Sequence, residues 1–107
     1  MSGSFGEMGN LLAQAQEMDK RVREALEELG EARIDGAAGG GVVSATVDGL
    51  GIVQSVHISE EAVRGTDREG IEQMLIAALN DAQTRAKRQR DELMTKVTGG
   101  VQLPWFS

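Results

Sequence analysis

The chain of 107 residues contains no cysteine, which excludes disulfide bonds, thiolate metal ligands and cysteine nucleophiles. Aromatic residues are nearly as scarce, since the sequence has only Phe5, Trp105 and Phe106, all close to its ends. The central core must therefore consist of aliphatic side chains and methionine. The sequence also lacks any run of about 18 apolar residues, so it predicts no membrane partner and a soluble, cytoplasmic protein.

Candidate catalytic and ligand-binding residues are few. His57 is the sole histidine, and one imidazole without cysteine is a poor start for a zinc site or a catalytic base. The glycines at 39–41 precede a predicted strand, with no Lys-Ser or Lys-Thr, so they favour a hairpin turn over a phosphate-binding loop. We therefore predict no enzyme, no cofactor, no metal and no small-molecule substrate, and expect His57 to have a structural or surface role.

The segment Met8–Leu29 carries a heptad seam. Its apolar residues are spaced alternately by three and four positions, which predicts a helix with one apolar stripe: Met8, Leu11, Ala15, Met18, Val22, Ala25 and Leu29. Leu12 and Leu26 widen the stripe. Such a helix is roughly 33 Å long, whereas a compact domain of this size has a radius of gyration of about 13 Å. The stripe is too long to be covered within one protomer, and this predicts a homodimer.

Between Gly30, the expected helix end, and Ser59 the apolar pattern changes from helical to alternating, with β-branched residues between glycine clusters. This pattern predicts three short antiparallel strands joined by turns at 39–41 and 48–51. The predicted strands are Ala32–Ala37, Val42–Val47 and Ile52–Ile58. Only one face of the third strand is clearly apolar, so we expect helices on one side of the sheet.

A second long helix is predicted after a polar connection at Ser59–Gly65. The sequence Thr66-Asp67-Arg68-Glu69 fits a capping box, which places the helix start beside Thr66. If the helix runs to Thr95 it spans roughly 43 Å, whereas a six-residue strand covers about 20 Å. The far half of the helix must therefore extend beyond the sheet.

These elements predict an α+β fold with two layers and the order α-β-β-β-α. We expect a single domain over residues 1–107, with a loose N-terminus at 1–7 and a C-terminal tail at 98–107. The tail contains Pro104-Trp105-Phe106, which would be an unfavourable apolar surface if exposed to water. We therefore expect the tail to dock on another surface of the protein.

Charge is unevenly distributed. The formal net charge is −6, but residues 67–107 carry six basic and six acidic groups, and the part from 85 to 96 has five basic against two acidic. Local positive charge is what phosphate contacts require. The candidate DNA-binding residues are Arg85, Lys87, Arg88, Arg90 and Lys96, assisted by Lys20, Arg21 and Arg23. The alternative is a solvated helix with ion pairs Lys87–Asp91, Arg88–Glu92 and Glu92–Lys96.

Five stretches carry a family resemblance: Met8–Gln16, Gly36–Val43, Gly49–Val53, Ala77–Ala82 and Lys96–Pro104. Together they resemble the YbaB/EbfC family of bacterial nucleoid-associated proteins, over a length from about Phe5 to the last residue. The resemblance implies a three-stranded sheet with two long helices and a tweezer-like homodimer. It also implies a nucleoid protein that binds double-stranded DNA with little sequence preference.

Two classes of function stay open at this point. One is a dimeric DNA-binding protein that influences nucleoid organisation or gene expression. The other is a dimeric protein-interaction module that uses projecting helices and an apolar tail without binding DNA. Salt dependence separates them, because phosphate contacts release counterions and lose affinity steeply as salt rises.

Overall fold

A computed structural model describes the backbone of residues 3–99 and the side chains of residues 6–99. The elements in chain order are α1 Gly3–Glu31, β1 Ile34–Ala38, β2 Val43–Val47, β3 Val53–Ile58, α2 Glu60–Gly65 and α3 Arg68–Thr98. The predicted α+β fold, with one antiparallel sheet and two long helices, is confirmed. The structure adds the short helix α2, where the sequence indicated only a polar connection.

Helix α1 is longer at both ends than its apolar seam predicts. It begins at Gly3, within the segment 1–7 that was expected to be loose. It ends at Glu31, one residue beyond the expected stop at Gly30, because the Ala32 N–H still donates to the Glu28 carbonyl at 3.1 Å. The first predicted strand consequently starts two residues later, at Ile34.

The three strands form one antiparallel sheet in the order β1-β2-β3. A one-turn 3₁₀ helix at Gly39–Gly41 joins β1 to β2, and its three glycines have φ of 61°, 73° and 97°. Positive φ is costly for residues with a Cβ, which explains the glycine cluster and confirms the predicted turn between β1 and β2. The second turn is organised by Asp48, whose carboxylate accepts hydrogen bonds from the N–H groups of Leu50 and Ile52.

The two helices that follow the sheet each begin at an N-cap residue. Ser59 caps α2, since its hydroxyl accepts a hydrogen bond from the Ala62 N–H at 3.1 Å. Asp67 caps α3, with its carboxylate accepting from the Gly70 N–H at 2.8 Å. The cap predicted from the sequence, at Thr66, is one residue too early, because Thr and Asp are both good N-cap residues and stand side by side.

Helix α3 packs on β1 and β2 through alanines. Ala78, Ala82 and Ala86 are completely buried, against Ile34 and Val47 at one end and Val43 and Ala45 at the other. Small side chains at intervals of four residues let the helix axis approach the sheet closely. The core is accordingly thin and aliphatic, as the scarcity of aromatic residues predicts.

Beyond the sheet, α3 continues beside α1. Met94 is buried against Ala25 and Leu29, with Leu93 and Val97 packed at the margin of this cluster. The two helices therefore form an antiparallel pair that leaves the sheet together, which we call the helical arm: residues 6–31 of α1 and 87–98 of α3. The described chain measures 78 × 20 × 16 Å, with a radius of gyration of 20.6 Å, as elongated as the helix lengths predict.

Candidate nucleic-acid interface

The cations predicted from the sequence lie on the helical arm and at its junction with the sheet. Four of them are held in ion pairs with carboxylates four residues away on the same helix: Arg21–Glu17, Arg23–Asp19, Arg85–Asp81 and Lys87–Asp91. All four cationic side chains are at least 60% exposed. Exposed pairs of this kind contribute about 0.3–0.5 kcal/mol, so an incoming phosphate can replace the carboxylate at little cost.

Three further predicted cations, Lys20, Arg88 and Lys96, form no ion pair with any residue in the described part of the chain. The pairs Arg88–Glu92 and Glu92–Lys96, which a purely structural helix would form, are not made. Of the three pairs in that interpretation, only Lys87–Asp91 is observed, at 2.9 Å. The arm thus has three exposed cations outside any observed ion pair, although residues 6–31 and 87–98 carry nine acidic and seven basic side chains in all.

Arg90 has a different environment. Its guanidinium donates to the Gly49 carbonyl at 3.3 Å and is partly buried. The Gly49 N–H in turn donates to the carbonyl of Leu29 at 2.7 Å, so Arg90, the β2–β3 turn and the end of α1 are linked. We infer that Arg90 positions the arm against the sheet, a role that its place in a basic run did not indicate.

A shallow depression beside the edge strand β1 brings together three arginines. Arg85 and Arg88 on α3 line it with Arg33, which follows α1 and was not predicted as a site residue. The Arg33 guanidinium donates to the carbonyls of Gly30 at 3.1 Å and Ala32 at 2.8 Å, so it is fixed at the end of α1. The one available signal was that Arg33 is an isolated cation in an acidic segment of the sequence.

Asp81 on α3 links Arg85 to strand β1 beside this depression. Its carboxylate accepts a hydrogen bond from the Ala37 N–H at 3.0 Å and another from Arg85 at 3.0 Å. The hydrogen bond from Ala37, followed by that from Arg85, lowers the pKa of Asp81 below its ordinary value. The carboxylate therefore stays charged and holds Arg85 beside β1.

Lys96 occupies a second depression, between the two helices of the arm. It lines this groove with Arg21, Ala25 and Val97, while Glu24 and Glu28 stand on the α1 side. Cations are thus present on both helices of the arm but not on one continuous surface, since Arg85 and Arg88 lie near β1 and Lys96 lies towards the arm's end.

No second kind of site stands out among residues 6–99. His57 is exposed and pairs in register with Ser44 on the face of the sheet away from α3, and the described side chains include no group of three possible metal ligands. No helix in the described residues is sufficiently long and apolar to cross a membrane. The exposed cations of the arm and of its junction with the sheet are therefore the feature on which a functional assignment rests.

Comparison with known proteins shows which family the chain is similar to. A model of the YbaB/EbfC DNA-binding family matches residues 5–101. A protein of Nocardia farcinica described as a nucleoid-associated protein is 39% identical over 102 residues, which cover 95% of this chain and 92% of that protein. The crystal structure of the uncharacterized protein HP0035 from Helicobacter pylori superposes with a TM-score of 0.72 at 27% identity, covering 89% of this chain and 97% of that one.

Proposed function

Because this chain belongs to the YbaB/EbfC DNA-binding family, we propose that it is a homodimeric nucleoid-associated protein that holds duplex DNA through phosphate contacts with little sequence preference. We expect it to act in the bacterial cytoplasm, on the nucleoid, since nucleoid-associated proteins bind DNA there. Binding there influences nucleoid organisation or gene expression. The single observation that supports the phosphate-contact model is that three exposed cations of the arm, Lys20, Arg88 and Lys96, form no ion pair in the described residues.

The side chains of the arm favour backbone contacts over base recognition. Lys20, Arg88 and Lys96 stand without carboxylate partners in the described residues, and Arg21, Arg23, Arg85 and Lys87 are in exposed pairs that a phosphate can replace. Contacts to phosphates position a protein on DNA but carry no base information. Weak sequence preference follows from this set of contacts.

The homodimer is supported by an uncovered part of the sheet. Val53 and Val56 on β3 pair in register with the buried Val47 and Ala45, so they point to the same face, yet each is 44% exposed. The reason is that α3 lies over β1 and β2 and leaves β3 uncovered. A second protomer on this face would bury the strand, and the dimer would present the exposed cations of two arms to one duplex.

The first test replaces Val56 with glutamate. A charge within an apolar dimer interface is costly to desolvate, so we expect Val56→Glu to shift the mass in light scattering from two protomers towards one. Ser55→Glu is the matched control, because Ser55 pairs with Thr46 and points to the other face. A Val56→Glu protein that stays dimeric, or a wild-type protein with the mass of one protomer, would contradict the interface.

The second test measures DNA binding itself. In a gel-shift titration with duplexes of unrelated sequence, we expect similar affinities that fall steeply between about 50 and 200 mM salt, because each phosphate contact releases counterions. An interaction module that holds another protein would show no such dependence. Absence of binding at the lower salt concentration, with the dimer intact, would exclude the DNA-binding proposal and favour the protein-interaction module.

A further inference from the structure

Helix α1 carries an apolar stripe that the described residues leave uncovered. Met8, Leu11 and Leu12 are 66%, 64% and 61% exposed, and Ala15 is also exposed. They continue the same heptad seam whose later members Val22, Ala25 and Leu29 are buried. The seam is therefore covered by α3 in its second half and exposed in its first half, which is unfavourable in water.

The chain that leaves α3 starts at the boundary between these two halves. Val97 packs beside the cluster of Ala25 and Leu29, and Lys96 and Val97 line one groove with Arg21. Gly99 then ends the helix in the left-handed conformation, with φ 63° and ψ 27°. Because α3 runs antiparallel to α1, helix α3 ends at the boundary between the covered and the exposed half of the stripe.

Residues 100–107 are long enough to follow the exposed part of the stripe. From Val22 back to Met8 is 14 residues of helix, or about 21 Å. The eight residues from Gly100 to Ser107 reach up to about 26 Å when extended. Pro104 favours an extended conformation in the residue before it, which suits a segment laid along a helix.

The chemistry of the two surfaces also matches. Residues 100–107 contain no charged side chain, and four of the eight are apolar: Val101, Leu103, Trp105 and Phe106. The stripe presents leucine, alanine and a methionine thioether, which makes favourable contacts with aromatic rings. We propose that residues 101–106 lie along α1 of the same protomer, where Leu103, Trp105 and Phe106 cover the stripe of Met8, Leu11, Leu12 and Ala15.

Trp105 reports on this contact directly, because it is the single tryptophan of the chain. In the full-length protein without DNA we expect Trp105 emission to lie at shorter wavelength than in the urea-unfolded chain. Replacing both Leu11→Gln and Leu12→Gln should return the emission towards the unfolded value and raise the acrylamide quenching constant at least twofold. The matched control is Ala13→Gln on the opposite side of α1, which should change neither quantity.

The same measurements can also contradict the proposed docking of the tail. Emission of the folded wild-type protein at the unfolded wavelength would overturn the proposal, as would quenching that is unchanged by the two leucine substitutions. The leucines and Ala13 are exposed, so their replacement leaves the described core intact, and circular dichroism checks that α1 remains helical. The result does not depend on DNA binding and stands or falls separately from the proposed function.

Engineered cysteines distinguish contact within one protomer from contact with the partner. Since the chain has no cysteine of its own, the pair Ala15→Cys and Leu103→Cys can be oxidised without competing thiols. We expect an intrachain disulfide, which leaves the mass of one chain on a non-reducing denaturing gel. The control pair, Ala13→Cys and Leu103→Cys, should cross-link at least fivefold less. A product of doubled mass would place the tail on the partner's α1, and no preference for position 15 over 13 would overturn docking on the stripe.

Discussion

Replacing Gly36 with alanine is expected to destabilise the protein by about 1–3 kcal/mol, and Gly36→Val by more, although both residues have higher strand propensity than glycine. A Cβ at Gly36 would lie 2.5 Å from the Ala78 carbonyl oxygen and closer still to the backbone nitrogen of Ala82. Both atoms belong to the helix backbone and cannot move aside as a flexible side chain can. Urea unfolding at fixed protein concentration measures the effect.

Gly30→Ala provides the control for the same chemical change. It lies inside α1, and nothing comes within 4 Å of the position a Cβ would take. We expect this substitution to stabilise α1 by up to about 1 kcal/mol, because glycine is a poor helix former. If Gly36→Ala were as stable as the wild type, the close packing of α3 on β1 would be wrong, since no other property of Gly36 demands glycine.

The second large effect concerns DNA affinity. In the triple variant Lys20→Glu, Arg88→Glu and Lys96→Glu, we expect affinity at low salt to weaken roughly a hundredfold and the salt slope to fall by about 0.9 for each phosphate that is no longer bound. These three cations have no ion-pair partner in the described residues, so reversing them breaks no observed ion pair. Arg90 is left unchanged because it bonds to Gly49 and its replacement would disturb the fold.

A control variant with a similar change of charge elsewhere separates local contacts from net charge. Arg64 and Arg68, on α2 and at the start of α3, are 80% and 94% exposed and lie away from the arm. Reversing both to glutamate, together with Gln73→Glu on the same part of α3, should reduce affinity far less than the triple variant. Equal reductions in the two proteins would show that the arm is not the DNA-binding surface, provided that both remain dimers with unchanged melting temperatures.

The element order and most turns were predictable from the sequence because their causes are local. Apolar residues spaced by three and four positions specify one face of a helix, and alternation of apolar and polar residues specifies a strand. Glycines with positive φ specify a turn such as 39–41. The predicted cap of α3 was wrong by only one residue for the same reason, since Thr66 and Asp67 satisfy the same local rule. Short helices such as α2 give little periodicity, so the sequence showed only a polar segment there.

The composition of the arm's surface, in contrast, depends on which elements meet in space. The sequence identified the basic run on α3, but only packing separates Arg90, held by Gly49, from Arg88, which is left without an ion-pair partner in the described residues. Arg33 joins the candidate site because the end of α1 lies beside α3.

Tertiary contact also decided where each apolar stripe is covered. On α3, the buried side turns from the sheet at Ala78, Ala82 and Ala86 towards α1 at Met94. On α1, the periodicity determined one uniform seam, yet Val22, Ala25 and Leu29 are buried whereas Met8 and Leu11 stay exposed. Periodicity specifies which side of a helix is apolar. The lengths of the elements and the places where they cross decide how much of that side is covered by another helix or by the sheet.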